Sequence, residues 1–326
     1  MSGVRASGSE TAGGDPSRRD DPQWPRSSAW LAGGGARSDG APRLAVLGVP
    51  LAATSISPSR ADTTPTAVRA ALGRFSTAYA AADPRDDVDL ESVAVDDLGD
   101  VALDGLTIAD AQAAITAAVA GVAADLVVVL GGDNALTRPA LRGRCPDLER
   151  AGLLTLDAHH DLRGFHAGIT NGTPVRGLLD DGLPPRHVVQ IGLGSFTNSR
   201  AHRRFALDAG ITVVTADAAR AEGVGTCVAR HLAALARRCD AVWVDLDVDV
   251  LDRAFAPGCP GARPGGLAPW ELHDAARVAG RHPVVTGVDI VEVDAAADAG
   301  GRTVDVAAQC LLHAAAGLAA RGPAPG

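Results

Sequence analysis

Apolar runs of strand length that end at acidic or polar residues most constrain how this chain can fold. One run is Leu126–Leu130, which ends at GGDN (131–134), and others run into Asp157 and Asp245. None shows the alternation of apolar and polar residues that is typical of a strand exposed on one face. Helical patterns separate the runs, which favours a mostly parallel sheet with helices on both faces.

The same patterns predict the secondary structure along most of the chain. Strands are expected at 44–49, 126–130, 152–156, 188–191, 211–214, from 241 onward, and at 284–288. Helices are expected from near Pro65 and at 107–124, 224–238, 269–279 and 304–320, with Thr107 at a helix N-terminus. We therefore predict a single three-layer α/β/α domain over residues 43–321. Residues 1–42 are predicted to be a disordered tail, in which Trp24 and Trp30 can dock locally.

The composition of the chain excludes some classes of binding partner. The net charge is −9 and no basic run is present, which argues against nucleic acid or an anionic membrane surface as partner. The five cysteines are scattered without a C-x-x-C pair, so we expect no disulfide framework and a cytoplasmic location. Neither a secretory signal nor a membrane-spanning segment is expected. A small-molecule substrate is the expected partner.

The segment AVWVDLDVDVLD (241–252) ends an apolar run with four aspartates. Carboxylates that leave water together repel one another and lose hydration, so a cation is expected among them. Because alternate residues of a strand point the same way, Asp245, Asp247 and Asp249 are expected to share one face and to supply oxygen ligands. The alternative is a solvated turn after the strand.

A second array, formed by Asp157, His159 and Asp161, directly follows another buried run. Added to Asp247 and Asp249, it makes a set of four carboxylates and one imidazole, which suits Mn²⁺ better than structural zinc. A two-metal site about 3.5–4 Å across is feasible, and it favours attack by metal-activated hydroxide on an electrophilic carbon. His159 by itself would be read as a hydrogen-bonded core histidine, and only its flanking aspartates favour a ligand.

Several motifs occur in an order that resembles the ureohydrolase family, which comprises arginase, agmatinase and formimidoylglutamase. They are GGDN (131–134), DAHHD (157–161), DLDVDVLDRAFAPG (245–258), PGGL (264–267) and DIVEVD (289–294). The resemblance extends from about residue 44 to 318. It implies an arginase-like fold, a binuclear manganese centre, hydrolysis of guanidino or formimino C–N bonds, and a homo-oligomer, either a trimer or a hexamer.

The resemblance also implies the metal ligands by position. They are Asn134, Asp157, His159, Asp161, Asp247 and Asp249. Asp157 and Asp247 would bridge the metals, Asp161 would hold the first metal, and His159 and Asp249 the second. Asn134 stands where the family has a histidine ligand of the first metal. Because an amide oxygen is a weaker ligand than imidazole, that site is expected to be weak or empty.

The substrate-binding residues are implied in the same way. Glu292 resembles the family carboxylate that receives the cationic amidine group, and Asp161 is expected to help move the proton. DAHHDLR followed by NGTPV most resembles formimidoylglutamase, which makes Arg163 the candidate for binding a substrate carboxylate. Asn171 stands where agmatinases carry a histidine. The structural alternatives are an ordinary paired carboxylate for Glu292 and a surface ion pair for Arg163.

These motifs predict a metal-dependent hydrolase that cleaves a C–N bond of a small formimino or guanidino compound, which would be formimidoylglutamate-like, agmatine-like or arginine-like. Asn134 and Asn171 motivate an alternative, a catalytically altered or inactive member of the fold that acts as a binding or regulatory subunit. A third possibility is an enzyme that works with one metal or with a different metal. Arg263 stands where agmatinase has a glutamate, which bears on the substrate more than on the fold.

Overall fold

Ten strands lie within residues 21–35 and 40–321, the parts of the chain that the structure, a computed structural model, describes. They are β1 (Arg43–Gly48), β2 (Ala78–Tyr79), β3 (Val88–Asp89), β4 (Ala94–Asp100), β5 (Leu126–Leu130), β6 (Ala151–Leu156), β7 (Val188–Leu193), β8 (Thr212–Thr215), β9 (Ala241–Asp247) and β10 (Val285–Val291). Eight of them form one parallel sheet in the order β4-β1-β5-β10-β9-β6-β7-β8. The remaining two, β2 and β3, form a short antiparallel pair.

Ten α-helices lie in the same described ranges. They are α1 (Ser27–Gly33), α2 (Thr64–Ala71), α3 (Ile108–Ala120), α4 (Thr137–Arg144), α5 (Pro174–Asp180), α6 (Arg200–Ala209), α7 (Ala216–Glu222), α8 (Val224–Leu235), α9 (Pro269–Arg281) and α10 (Arg302–Ala319). Of the helices that can be described, none has the length and apolar character needed to cross a membrane.

The sheet is buried on both faces because neighbouring residues of its central strands pack into different cores. In β5, Leu126, Val128 and Leu130 belong to the core that contains residues of α2, α8, α9 and α10. Val127 and Val129 of the same strand belong to the core that contains residues of α3, α4 and α5. The predicted three-layer α/β/α domain with a parallel sheet is thereby confirmed.

Most predicted strands and helices are confirmed to within a few residues. The strand at 126–130 coincides with β5, and the Thr107 hydroxyl accepts a hydrogen bond from the Asp110 N–H at 3.2 Å, as expected of a residue that begins α3. The prediction did not include α1, α4, α5, α6 or α7, which are all ten residues or shorter. Such helices span too few turns for an apolar period to stand out from the sequence.

The prediction that residues 1–42 form a disordered tail is wrong for the part that forms α1, although Trp30 docks there as that prediction allowed. Helix α1 buries Trp30, which is 4% exposed, together with Leu31. The indole N–H of Trp30 donates to the Val93 carbonyl at 3.2 Å, and the Ser27 N–H donates to the Phe75 carbonyl at 2.9 Å. An indole that is buried and hydrogen-bonded in this way makes α1 part of the domain. Residues 1–20 and 36–39 of the predicted tail lie outside the described residues.

Candidate metal centre

Four neighbouring strands, in the order β5-β10-β9-β6, bring the predicted site residues together. Asn134 follows β5, Glu292 follows β10, Asp247 ends β9, and Asp157 follows β6. The strands are parallel, so their carboxyl ends lie at one edge of the sheet, which is where ligands bind in such folds. Motifs that are far apart in the sequence are adjacent there.

Asp157, His159 and Asp249 form the tightest group of possible metal ligands. One ligand atom from each lies within 4.8 Å of the others. His159 Nδ1 is 2.7 Å from Asp249 Oδ2 and 3.5 Å from Asp157 Oδ1. Burial by itself lowers the pKa of His159, but the negative charge of Asp249, together with Asp157, raises that pKa to about 12. The group therefore favours a positive charge, which a divalent cation would also supply.

The turn that ends β9 positions Asp247 and Asp249. Asp249 lies in a 3-10 turn, Val248–Val250, and its N–H donates to Asp247 Oδ1 at 2.8 Å. The prediction that Asp245, Asp247 and Asp249 share one strand face is wrong, because the strand ends before Asp249. Asp245 is buried beside Asp289 of β10, and burial, followed by the charge of Asp289, raises its pKa well above the usual value.

Asn134 turns its amide nitrogen toward the carboxylates. Its Nδ2 donates to Asp161 Oδ2 at 2.7 Å and to Asp247 Oδ2 at 3.3 Å. Its Oδ1 lies 2.6 Å from the Thr137 hydroxyl, which is also 2.8 Å from Asp289 Oδ2. A hydroxyl both donates and accepts, so Thr137 can hold the amide in either of its two orientations. In the opposite orientation Asn134 would present a carbonyl oxygen to the carboxylate cluster.

Glu292 is 4% exposed and is held from two sides. Its Oε1 accepts the Asn134 N–H at 2.8 Å and the Asn171 side-chain amide at 2.9 Å. Asn171 is positioned in turn by the Ile56 N–H, which donates to its Oδ1 at 3.1 Å. Burial, followed by the charge of Asp133, raises the pKa of Glu292 to about 8. Because the buried site disfavours the bare carboxylate, a cationic group bound beside Glu292 would stabilise its ionised form.

Two of the predicted catalytic positions have a left-handed backbone. Asp161 has φ 50° and Glu292 has φ 66°. Such conformations cost about 1–3 kcal/mol each in residues other than glycine and persist where the surrounding structure fixes them. Here the Arg176 N–H donates to the Asp161 carbonyl at 3.1 Å, and the Glu292 N–H donates to the Gly132 carbonyl at 3.0 Å. The backbone therefore holds both carboxyl groups in defined positions.

A cavity of about 130 Å³ is lined by seven of the predicted site residues. They are His159, Asp161, Arg163, Asn171, Asp247, Asp249 and Glu292. The other two, Asn134 and Asp157, are buried in contact with members of this group. A second cavity, of about 260 Å³, shares His159, Asp161 and Arg163 with the first. All the predicted positions therefore meet at one place.

Several residues that line these cavities were missing from the predicted set, among them an arginine and a histidine. Arg263, in the loop after β9, lines the first cavity, and His202 of α6 lines the second. Neither lies directly after a strand, which is the signal that located the acidic positions. The sequence feature that could have identified Arg263 is its charge, because it is a cation in a Pro- and Gly-rich loop that follows the aspartates.

The side chains fit a divalent metal ion. Among the described residues, Asp157 Oδ2 is buried without a hydrogen-bond partner. Burial, followed by the charge of Asp249, raises the pKa of Asp157 to about 7, and burial likewise raises the pKa of Asp161 and Asp247 well above the usual value. A divalent cation would supply the missing partner and favour the ionised carboxylates. A donor set of carboxylates with one imidazole suits Mn²⁺.

Known proteins share both the sequence and the fold. A formimidoylglutamase of Halalkalibacterium halodurans is 37% identical over 285 residues, which cover 86% of this chain and 87% of that protein. The crystal structure of formimidoylglutamase from Bacillus subtilis matches with a TM-score of 0.83 and 31% identity, over 95% of this chain and 96% of that one. A Trypanosoma cruzi formiminoglutamase, crystallised with Mn²⁺, shares the fold with a TM-score of 0.80 and 21% identity, over 92% of this chain and all of the other.

The arginase family profile matches residues 42–317, which is most of the chain and includes every predicted site residue. The match covers the four central strands together with the acidic segments that follow them. This chain belongs to the arginase family.

Proposed function

We propose that this protein hydrolyses the C–N bond of a formimino compound that carries carboxylates, of the formimidoylglutamate type. Membership of the arginase family and the formimidoylglutamase relatives make it a metal-dependent hydrolase of amidino compounds. One observation supports the formimidoylglutamate type of substrate in particular. An acidic cluster, Glu292 and Arg163 all line one cavity.

The metal would be Mn²⁺, held by Asp157, His159, Asp161, Asp247 and Asp249, with Asn134 as the weak sixth ligand. When bound, it would supply an activated water and polarise the substrate, which are the usual contributions of such ions. The orphaned Asp157 Oδ2 and the donor set support this assignment. Two metal ions are proposed, and the ion next to Asn134 is the one expected to be lost first.

The remaining roles belong to side chains at the cavity. Glu292, held by Asn134 and Asn171, would bind the cationic amidine group and orient its carbon. Asp161 would carry the proton to the leaving nitrogen, since its left-handed backbone and the hydrogen bond from Asn134 hold its carboxyl at the cavity. Arg163 would bind a carboxylate of the substrate.

The test is hydrolysis by the Mn²⁺-loaded protein. We expect formamide release from formimidoylglutamate, with little urea released from agmatine or arginine. Glu292→Gln should lower kcat/KM by about 10²–10³ while leaving the bound Mn²⁺ unchanged, because it removes the charge that the amidine faces. Urea release in preference to formamide would overturn the substrate, and silence on every substrate with Mn²⁺ bound would overturn the activity.

The alternative of an inactive binding or regulatory subunit finds no support in the family comparison. A one-metal enzyme remains a distinct proposal, because Asn134 presents nitrogen rather than oxygen to the carboxylates. Manganese content distinguishes the one-metal enzyme from the two-metal enzyme. About one ion per chain in fully active protein would favour the one-metal enzyme.

Location and assembly are also proposals. All five cysteines are buried and unpaired, which supports a cytoplasmic setting. We propose a homo-oligomer, either a trimer or a hexamer. Light scattering of the purified protein measures its mass in solution, and a monomeric mass would exclude the oligomer.

A further inference from the structure

We infer that Asn198 is a positioning residue of the metal centre, which holds the His159 imidazole in place by binding the backbone on both sides of it. Asn198 lies in the loop between β7 and α6, and none of the candidate metal ligands belongs to that strand or that loop. The inference rests on the Mn²⁺ centre of the proposed function and not on the substrate. It makes the affinity for Mn²⁺ depend on a side chain outside the ligand set.

The side-chain amide of Asn198 binds the residue before His159 and the residue after it. Its Oδ1 accepts the His160 N–H at 2.9 Å, and its Nδ2 donates to the Ala158 carbonyl at 2.7 Å. An asparagine amide carries its acceptor and its donors in one rigid plane. The two contacts together therefore fix the direction in which the His159 side chain leaves the turn after β6.

The loop that carries Asn198 is itself fastened to the same turn. The Gly194 N–H donates to the Ala158 carbonyl at 3.0 Å, and the Thr197 hydroxyl donates to that carbonyl at 2.8 Å. Asn198 Nδ2 also lies 2.9 Å from Thr197 Oγ1. Phe196 has a left-handed φ of 63°, which costs about 1–3 kcal/mol in a residue other than glycine and persists where the surrounding structure fixes it. The loop backbone is therefore fixed by contacts within the protein.

Strand β7 adds a second two-point contact to the turn through Gln190, which is fully buried. Gln190 Nε2 donates to the His160 carbonyl at 2.9 Å, and its Oε1 lies 2.7 Å from His160 Nδ1. Because the amide nitrogen is committed to the carbonyl, Oε1 is the acceptor and His160 Nδ1 carries the hydrogen. The strand and its loop thus bind backbone groups of Ala158 and His160, the two neighbours of His159.

The backbone of His159 needs this restraint because the side chain lies at the edge of the cavity. It is 31% exposed, so packing covers only part of the ring, and its Nδ1 lies 2.7 Å from Asp249 Oδ2. His159 is also the only imidazole among the candidate ligands. A ligand whose backbone is free to move must be ordered when the ion binds, and that ordering lowers the affinity. Groups that orient a metal ligand typically contribute a factor of about 10–100 to metal affinity.

The experiment measures Mn²⁺ affinity from the electron paramagnetic resonance signal of the free ion in titrations of the full-length protein. Asn198→Ala removes the contacts on both sides of His159 and should weaken Mn²⁺ binding about 10–100-fold. Thr197→Val keeps the side-chain shape, removes one contact to Ala158, and should cost less. Ser27→Ala is the matched control, because it removes a buried side-chain hydrogen bond of 2.6 Å to the Ser76 carbonyl, far from the centre. It should leave the Mn²⁺ affinity unchanged.

Kinetics at saturating Mn²⁺ separate positioning from substrate contact, since Asn198 also lines the second cavity. Once the centre is filled, Asn198→Ala should hydrolyse formimidoylglutamate with KM near the wild-type value.

The inference is overturned if Asn198→Ala binds Mn²⁺ as wild type does, or if Ser27→Ala loses as much affinity. A raised KM with unchanged Mn²⁺ affinity would also overturn it and would place Asn198 on the substrate. Wild type that binds Mn²⁺ without hydrolysing any formimino compound refutes the proposed function, and the inference then stands if the expected order of affinities is found. Wild type that binds no Mn²⁺ refutes both.

Discussion

At the scale of single residues, Asn134 decides how the metal centre is completed. In one orientation its amide nitrogen bridges Asp161 and Asp247, and in the opposite orientation, which the Thr137 hydroxyl can also hold, its oxygen would face a cation. Asn134→His should raise the Mn²⁺ content after dialysis toward about two ions per chain, because imidazole is the better ligand for this class of metal. Elemental analysis measures this content. Unchanged metal content and activity would show that position 134 is not at the metal.

A substitution at Thr137, whose hydroxyl contacts the oxygen of the Asn134 amide, also tests the role of Asn134 at the metal centre. Thr137→Val removes the hydroxyl that lies 2.6 Å from Asn134 Oδ1 and keeps the shape of the side chain. We expect about 10–100-fold weaker Mn²⁺ binding, as is typical when a group that orients a ligand is removed. Thr137→Ser should preserve the affinity. Equal loss in the Asn134→His background would contradict a role through the asparagine amide and indicate general disruption.

At the scale of secondary-structure elements, packing between α9 and α10 includes a stacked histidine pair. His273 and His313 lie with ring centroids 4.9 Å apart, and the Tyr79 ring meets His313 edge-on at 5.5 Å. Burial lowers the pKa of both histidines to about 4, with a further lowering of the His273 pKa by His313 and of the His313 pKa by Arg277. Asp274 opposes the shift of His313.

Because these folded-state pKa values lie below the unfolded value of about 6.5, the unfolded chain binds more protons in acid. The stability contributed by the neutral pair is fully present above about pH 6.5 and is lost as the pH falls toward 4. We expect each histidine to cost about 2 kcal/mol at pH 5 relative to pH 8. Urea unfolding at both pH values measures this loss. The double variant His273→Leu/His313→Leu should lose less stability in acid than wild type, and an equal loss would exclude the pair as the cause.

At the scale of the whole molecule, α1 extends the domain beyond the segment with clear sequence periodicity. Trp30→Ala should lower the free energy of unfolding by about 3–5 kcal/mol, because Trp30 is buried and its indole N–H is hydrogen-bonded to Val93. Trp24→Ala is the control, since Trp24 is 45% exposed, and it should change stability much less. Chemical denaturation compares the two. Equal small effects would mean that α1 does not contribute to the stability of the domain.

Metal binding should stabilise the whole domain, because the candidate ligands come from the end of β9 and from the segments that follow β6 and β9, which meet only in the folded chain. Mn²⁺ at about a hundred times its Kd should add about 2.7 kcal/mol to the free energy of unfolding. For a domain of this size, that corresponds to a rise in Tm of roughly 5 °C. Asp247→Asn should abolish most of the shift. A Tm that does not respond to Mn²⁺ or to chelator would argue against the proposed centre.

The sequence by itself determined the class of fold and most of the candidate site. Strand length, helical period and the N-terminus of α3 at Thr107 are local properties, and they depend on neighbours within a few positions. DAHHD and DLDVD stood out for the same reason, since each follows an apolar run directly. Local patterns of this kind can be read before any tertiary contact is known.

Only the tertiary structure decided the strand order, the orientation of the Asn134 amide, the separation of Asp245 from Asp249, and the position of Arg263 at the cavity. Each depends on contacts between residues that are remote in the chain or on the residue at which a strand ends. A sequence pattern records which side chains are available. The packed sheet decides which of them meet, because burial and hydrogen bonding act on distances in space and not on separation along the chain.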